Sequence, residues 1–317
     1  MGGKALNNYG IYTERKNTEN FRRIGHEIQE QFNNDFNNEI ITEIVTCYHT
    51  KPDHGDLDLL IKMDGKYFTG NGLTLKDYIK NTFNPRAIHN NGGVLSFDYQ
   101  NFQIDFIPVR QSKWETAKVY YSYDPLGNIM GKTFHKFGLS YGWDGLFYKF
   151  RNFNGRNSQD ILISTNARKI FEFGGYDYDR YLKGFETLEE ILLFTINSKY
   201  FDTEIFQMDN LKSIDKKRNR KRGSYHIFLK YIEENNINTR YGFNRDKTHY
   251  LPMINNYFPE ANLMEKLSEL QRVDTLNKIL SQKFNGDIIM TWLPKLQGKE
   301  LGNAISKFKE SFDDDED

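Results

Sequence analysis

The sequence predicts an α+β fold in its first half and an all-helical second half. Three observations carry this. Runs of β-branched and apolar residues, broken by Gly, Asn and Pro turns, recur from residue 40 to residue 151. Beyond about residue 165 the apolar spacing changes to three and four, the mark of helices packed along one face. Aromatic residues make up 15% of the 317 residues, with 25 Phe and 20 Tyr, a supply that a disordered chain lacks.

The elements follow in order. Phe21, Ile24, Ile28 and Phe32 sit at helical spacing over residues 17–35, with Thr18 as the expected N-cap. Ile40 to Tyr48 reads as a strand, and Asp56 to Ile61 as a second after the turn Lys51-Pro52-Asp53-His54-Gly55. A short helix is expected over 73–83. Residues 93–99 and 102–109, joined at Gln100-Asn101, read as a β-hairpin. Residues 117–122 look β-like, 125–139 helical, and Gly145 to Arg151 again strand-like. Leu263, Leu267, Leu270, Val273, Leu276, Ile279 and Leu280 mark a long amphipathic helix over 260–284.

Several classes are set aside by composition. No apolar run reaches the roughly 18 residues of a membrane span, and the first residues carry no apolar signal-peptide core. Residue 6 is Leu, so the myristoylation pattern after Met1-Gly2 fails. Cys47 is the one cysteine, which excludes a disulfide framework and points to a reducing, cytoplasmic compartment. It reads as a small core residue within its strand, and His49, His54 and His89 lack zinc-ligand spacing. The 43 basic and 43 acidic residues cancel, so no basic field covers the whole chain. The charge is segregated instead. Lys216, Lys217, Arg218, Arg220, Lys221 and Arg222 form a basic run, and Asp313 to Asp317 an acidic tail expected to be solvated.

The chemistry concentrates in Gly55-Asp56-Leu57-Asp58-Leu59-Leu60-Ile61. Residues i and i+2 of a strand share a face, so Asp56 and Asp58 point the same way. Asp105 is a lone acid in the later apolar strand Phe102 to Val109. Three carboxylates brought together repel, and one takes up a proton unless cations neutralise them. Hard oxygen donors suit two Mg²⁺ ions, with Mn²⁺ as a substitute, of the kind that clamp both oxygens of a phosphoryl displacement. The competing reading places all three acids on a solvent face.

Gly-Asp-Leu-Asp-Leu-Leu-Ile, followed by a strand with Ile-Asp-Phe, resembles the nucleotidyltransferase superfamily of DNA polymerase β. Tyr120-Tyr121-Ser122-Tyr123-Asp124, the helix through Lys132 to Phe137-Gly138, and Gly145-Leu146-Phe147 are similar to the palm-to-thumb region of its family X members. The likeness covers residues 38–200. It implies a nucleotidyltransferase palm with a small mixed sheet, Asp56, Asp58 and Asp105 as metal-binding catalytic residues, and a nucleoside triphosphate substrate. The strand end at Tyr120, Tyr121 and Ser122 would lie beside the sugar. The family's Gly-Ser or Gly-Gly before the acid pair is missing, for that window reads Val45-Thr46-Cys47-Tyr48-His49. Thr46 stands in for the serine hydroxyl, Lys51 supplies the positive charge and Gly55 the turn. Gly2-Gly3-Lys4 is a further candidate contributor.

Phe284 to Met290 and Leu296 to Gly302 look like the C-terminal helical pair of tRNA nucleotidyltransferases and bacterial-type poly(A) polymerases. There a Gly-x-x-x-Gly helix start allows close backbone approach. The basic run precedes Tyr225, Phe228 and Tyr231, a pairing of phosphate-neutralising cations with rings able to stack on bases, or alternatively a solvated run before a core face. The expected organisation is an N-terminal helical arm (1–37), a palm- and thumb-like catalytic domain (38–200) and a helical nucleic-acid-binding domain with the acidic tail (201–317). The expected activity is metal-dependent transfer of a nucleotide to a nucleic-acid 3′ end, RNA in preference, with release of pyrophosphate. A family X-like DNA polymerase, transfer to a small molecule or protein, and an inactive RNA-binding module are the alternatives. No membrane and no protein partner is implied.

Overall fold

The computed structural model describes residues 3–63, 74–283 and 286–313. Gly2, Phe284 and Asn285, residue 73 of the helix expected over 73–83, and Asp314 to Asp317 of the acidic tail lie outside them. The fold is mixed α/β, with a mixed sheet and a helical C-terminal half.

A two-residue strand β1 (Lys16–Asn17) leads into α1 (Thr18–Asp35). The cap is Asn17 rather than Thr18. Asn17 is extended and its side chain accepts from the Asn20 N–H at 2.9 Å. Thr18 is freed for a tertiary role, and its hydroxyl donates to the Lys51 carbonyl. Then come β2 (Thr42–Ile44), β3 (Asp53–His54), β4 (Asp56–Met63), α2 (Leu75–Phe83), β5 (Ile88–Asn91), β6 (Val94–Tyr99) and β7 (Phe102–Arg110).

Five of these strands form one sheet in the order β2-β4-β7-β6-β5. Only β4 and β7 run parallel; the other pairs are antiparallel. The β6–β7 hairpin turns on Gln100 and Asn101, both left-handed at φ 51° and 57°, as a two-residue turn matched to strand twist requires. Alternation along β4 splits its side chains. Leu57, Leu59 and Ile61 face a core shared with Phe21, Ile24, Ile28 and Phe32 of α1. Each of those four contributes about 1.5–3 kcal/mol of burial. A Cβ on Gly25 would lie 2.5 Å from Ile44, so glycine sets how closely α1 approaches the sheet. The helix expected as an arm is therefore one layer of the sheet's own core.

The strand expected over 40–48 stops at Ile44. Beyond it the backbone finds other partners. Thr46 O accepts from Tyr123 N, and His49 N and Thr50 N donate to Phe185 O and Glu186 O. Cys47 consequently lies in a loop. The β-like run at 117–122 is also helix: α3 spans Trp114–Tyr121. Trp114, Ala117 and Tyr121 recur at helical spacing and pack with Leu60, Ile107 and Val109 on the sheet's second face. That packing overrides the strand propensity of Val119, Tyr120 and Tyr121.

Next are α4 (Leu126–Lys136), β8 (Leu139–Gly142), β9 (Gly145–Arg151) and β10 (Asn157–Ser164), the strands in the order β10-β9-β8. The helical half follows: α5 (Ala167–Phe173), α6 (Tyr178–Leu182), α7 (Leu188–Ile196), α8 (Ser213–Asn219), α9 (Gly223–Glu234), α10 (Leu251–Tyr257), α11 (Leu263–Lys283), α12 (Gly286–Trp292) and α13 (Gly298–Asp313).

The chain forms two compact units. Residues 1–147 and 162–250 make the first, and 148–161 with 251–317 the second. Within the first, Tyr225, Phe228 and Ile232 of α9 join Ile129 and Leu192 in one buried cluster. Residues on both sides of 200 thus share a unit. Within the second, Leu280 and Ile289 are buried against Leu301, Ala304 and Ile305. A Cβ at Gly298 or Gly302 would meet nothing within 4 Å, so the close approach expected of that glycine pair is not made by described residues. No described helix is long and apolar enough to cross a membrane.

Candidate active site

Parallel pairing of β4 with β7 sets Asp58 directly opposite Asp105, and Asp56 opposite Gln103. Neighbouring strands lie about 4.8 Å apart. The face that carries Asp56 and Asp58 is the one opposite Leu57 and Leu59, so three carboxylates from two strands meet at one end of the sheet. All three are half-buried.

Burial is the first cause of their perturbed acidity. Asp56 is pushed up by it, against the pull of the Gly3 N–H bond and the Lys51 charge. Asp58 is pushed well above the usual carboxylate range, by burial and then by the charges of Asp56 and Asp105. Asp105 rises to about 7, by burial and then by Asp56, with hydrogen bonds from Ser96 and Gln103 opposing. Among the described residues no group of three or more His, Cys, Asp and Glu is already converged to ligate a metal. The donor set nevertheless fits hard divalent cations: carboxylate oxygens with raised proton affinity, whose repulsion a cation relieves.

These shifts predict an inverted pH dependence of stability in chelator. The folded Asp105 carboxyl binds its proton more tightly than the unfolded one, whose pKa is near 3.8. Its contribution to stability is complete below about 3.8 and is lost as pH rises through about 7. Asp105→Asn should therefore gain stability relative to wild type between about pH 5 and about pH 8, by about 2 kcal/mol. Thermal melts across that range check it, and a difference independent of pH would show that burial and the Asp56 charge do not destabilise the Asp105 carboxylate.

Asp56 and Asp58 open on a cavity of about 410 Å³ within the first unit, whereas Asp105, behind them on β7, is not part of its lining. Thr46, Lys51, Asp56, Asp58 and Tyr121 line it, so the structure brings five of the sequence-identified residues together. The others sit elsewhere. Gly55 is buried beneath Gly3. Tyr120 turns toward Tyr141, ring centroids 5.3 Å apart. The buried Ser122 hydroxyl donates to Lys118 O at 2.7 Å, closing the end of α3. A sugar-facing strand end at 120–122 is thus replaced by a helix that offers the cavity only Tyr121.

The basic run lies on α8 and the turn before α9. Lys216 is half-buried and 3.7 Å from Asp209. Lys217, Arg218, Arg220, Lys221 and Arg222 are exposed and make no ion pair among the described residues. Tyr225 and Phe228 are fully buried, so they are core rather than a stacking platform. Tyr231 donates its hydroxyl to Glu189 at 3.2 Å.

Leu188 and Ile227 line the cavity without any sequence signal, and Tyr123 and Asp124 of the stretch 120–124 line it as well. Gly223 and Ser224, the start of α9, also line the cavity, directly after the basic run. A Gly-Ser pair following cations was visible in the sequence, but only the fold carries it to the acids. His54 is buried and stacked on Phe21 at 3.8 Å; burial and then the Lys51 charge lower its pKa to about 4, so it is a neutral wall. Burial also raises the Cys47 thiol, leaving it a poor nucleophile.

Comparison of the chain with protein-family models gives no match, and comparison with curated proteins gives none.

Proposed function

We propose that the chain is a metal-dependent nucleotidyltransferase. It transfers a nucleotide from a nucleoside triphosphate to the 3′ hydroxyl of a nucleic acid, RNA in preference, and releases pyrophosphate. The observation that supports this best is the in-register pairing of Asp58 with Asp105, with Asp56 on the same face, beside a cavity that carries Lys51. The preference for RNA rests on the resemblance of residues 284–302 to tRNA nucleotidyltransferases and poly(A) polymerases.

Asp56 and Asp58 would hold both Mg²⁺ or Mn²⁺ ions and Asp105 one of them. When bound, the ions supply charge stabilisation of the displacement at phosphorus. Lys51 and Thr46 hold the triphosphate in the cavity, and the first turn of α9 adds backbone N–H groups on the same wall. Asp105, as a ligand of one ion, would help lower the pKa of the acceptor hydroxyl. The exposed cations of 217–222 hold the acceptor strand by its phosphates.

Incubation with labelled RNA and DNA primers, each NTP and dNTP, and Mg²⁺ or Mn²⁺ tests the reading. Extension of a primer supports it. No extension, together with no thermal stabilisation by NTP plus Mg²⁺, leaves an inactive binding module in its place.

Tyr121 is the one ring of 120–121 that faces the cavity, and it serves as the sugar-side wall. Tyr121→Ala should change the ratio of NTP to dNTP catalytic efficiency by more than about tenfold, or about 1.4 kcal/mol. Steady-state kinetics with both substrates reads this; equal losses for the two would make the ring a packing residue against Trp114.

A further inference from the structure

We infer that residues 3–14 form a strap that positions the acid site, with Gly3 and Gln103 as its two points of attachment. The inference rests on the divalent-ion reading above and concerns what holds the ligands in place.

The strap reaches both acid-bearing strands. Gly3 N–H donates to Asp56 Oδ2 at 3.1 Å. Two residues on, Ala5 N–H donates to Gln103 Oε1 at 2.8 Å. The Gln103 Nε2 then donates to Asp105 Oδ1 at 2.9 Å. The orientation of this amide follows from its partners: an N–H can meet only the oxygen end, and a carboxylate only the nitrogen end. Gln103 is buried and lies in register with Asp56, so one short backbone segment governs Asp56 directly and Asp105 through a single side chain. No hydrogen bond from a described residue reaches the Asp58 carboxylate between them. Each strap bond occupies one oxygen of its carboxylate, and the Asp105 carboxyl accepts a second hydrogen bond from Ser96.

The strap is itself anchored. Thr13 Oγ1 donates to Gly3 O at 3.1 Å, and Glu14 N to Asn101 O at 2.8 Å. Leu6 and Ile11 are buried. The segment then pairs through Lys16 and Asn17 with His54 and Asp53, just ahead of Asp56. Gly3 is left-handed at φ 82°, and a Cβ there would lie 2.2 Å from the Gly55 carbonyl oxygen. Any side chain must lift the strap away from Asp56.

Partners that orient metal ligands typically govern metal affinity by about 10–100-fold. Gly3→Ala, which displaces the strap, and Gln103→Met, which deletes the relay while keeping bulk, should each weaken Mn²⁺ binding by about that factor. Thr13→Ser, which keeps the anchoring hydroxyl, should bind as wild type does. Mn²⁺ binding to the full-length protein is read without nucleotide from the loss of the free-ion electron paramagnetic resonance signal, beside a thermal melt in chelator. A merely structural strap would lower the melting temperature and leave the Mn²⁺ affinity of the folded protein unchanged. Wild-type affinity in both Gly3→Ala and Gln103→Met overturns the inference and leaves the divalent-ion reading standing. Failure of the wild type to bind Mn²⁺ overturns both.

Discussion

Asp56→Ala, Asp58→Ala and Asp105→Ala are each expected to lower nucleotidyl transfer by at least about a thousandfold, or about 4 kcal/mol of transition-state stabilisation. The magnitude follows from the pairing. Asp58 faces Asp105 across two parallel strands and Asp56 shares their face, so the three act as one charge constellation. Residues that act as a unit are not additive, and a double substitution should cost little more than a single one. The fold should survive each change, because the apolar side chains of β4 lie in separate clusters and removal of one acid relieves repulsion on the others. Single-turnover transfer rates, measured beside melting temperatures in chelator, decide this. Near wild-type transfer by any one of the three would remove that residue from the site.

The acid pair and the strand that bears it were legible because both are local. The spacing of two between Asp56 and Asp58 states their common face, and the apolar residues between them state the buried one. Asp105 was legible as an acid out of place in an apolar strand. Its register with Asp58 was not, since α2, β5 and β6 lie between β4 and β7 along the chain. Helix α3 was misread for a physical reason. Val119-Tyr120-Tyr121 is a strand-like triplet, whereas the decisive contacts come from Trp114 and Ala117 meeting Leu60 and Ile107. Gln103 could have been found, since it stands two residues before Asp105 and shares its face. Its link to Ala5 spans 98 positions and has no sequence mark. The stacking role given to Tyr225 and Phe228 failed because helical spacing marks a core face as readily as a binding one.

Replacing Lys216, Lys217, Arg218, Arg220, Lys221 and Arg222 with Ser or Gln should weaken RNA binding and flatten its salt dependence. The exposed side chains of 217–222 have no acidic partner among the described residues, so their charges are available to phosphates. Each phosphate neutralised on a single strand adds about 0.7 to the slope of log affinity against log salt. Six contacts would give about 4, and loss of half of them about 2. Sequence position alone assigned this run to a nucleic-acid-binding domain, 201–317, separate from the catalytic domain at 38–200. The fold changes that expectation, because Arg222 leads directly into Gly223 and Ser224, which line the cavity of Asp56 and Asp58. The run is therefore divided for the test. Substitution of Lys216, Lys217 and Arg218 should reduce the salt slope and spare NTP binding. Substitution of Arg220, Lys221 and Arg222 should reduce the slope and also weaken NTP binding several-fold. Salt titrations of RNA binding, with NTP binding measured beside them, separate the two halves. Coincident slopes for wild type and both variants would make the run a solvated surface and move the acceptor elsewhere. A reduced slope with unchanged NTP binding in both would confine the cations to the acceptor strand and leave the triphosphate to Lys51 and Thr46.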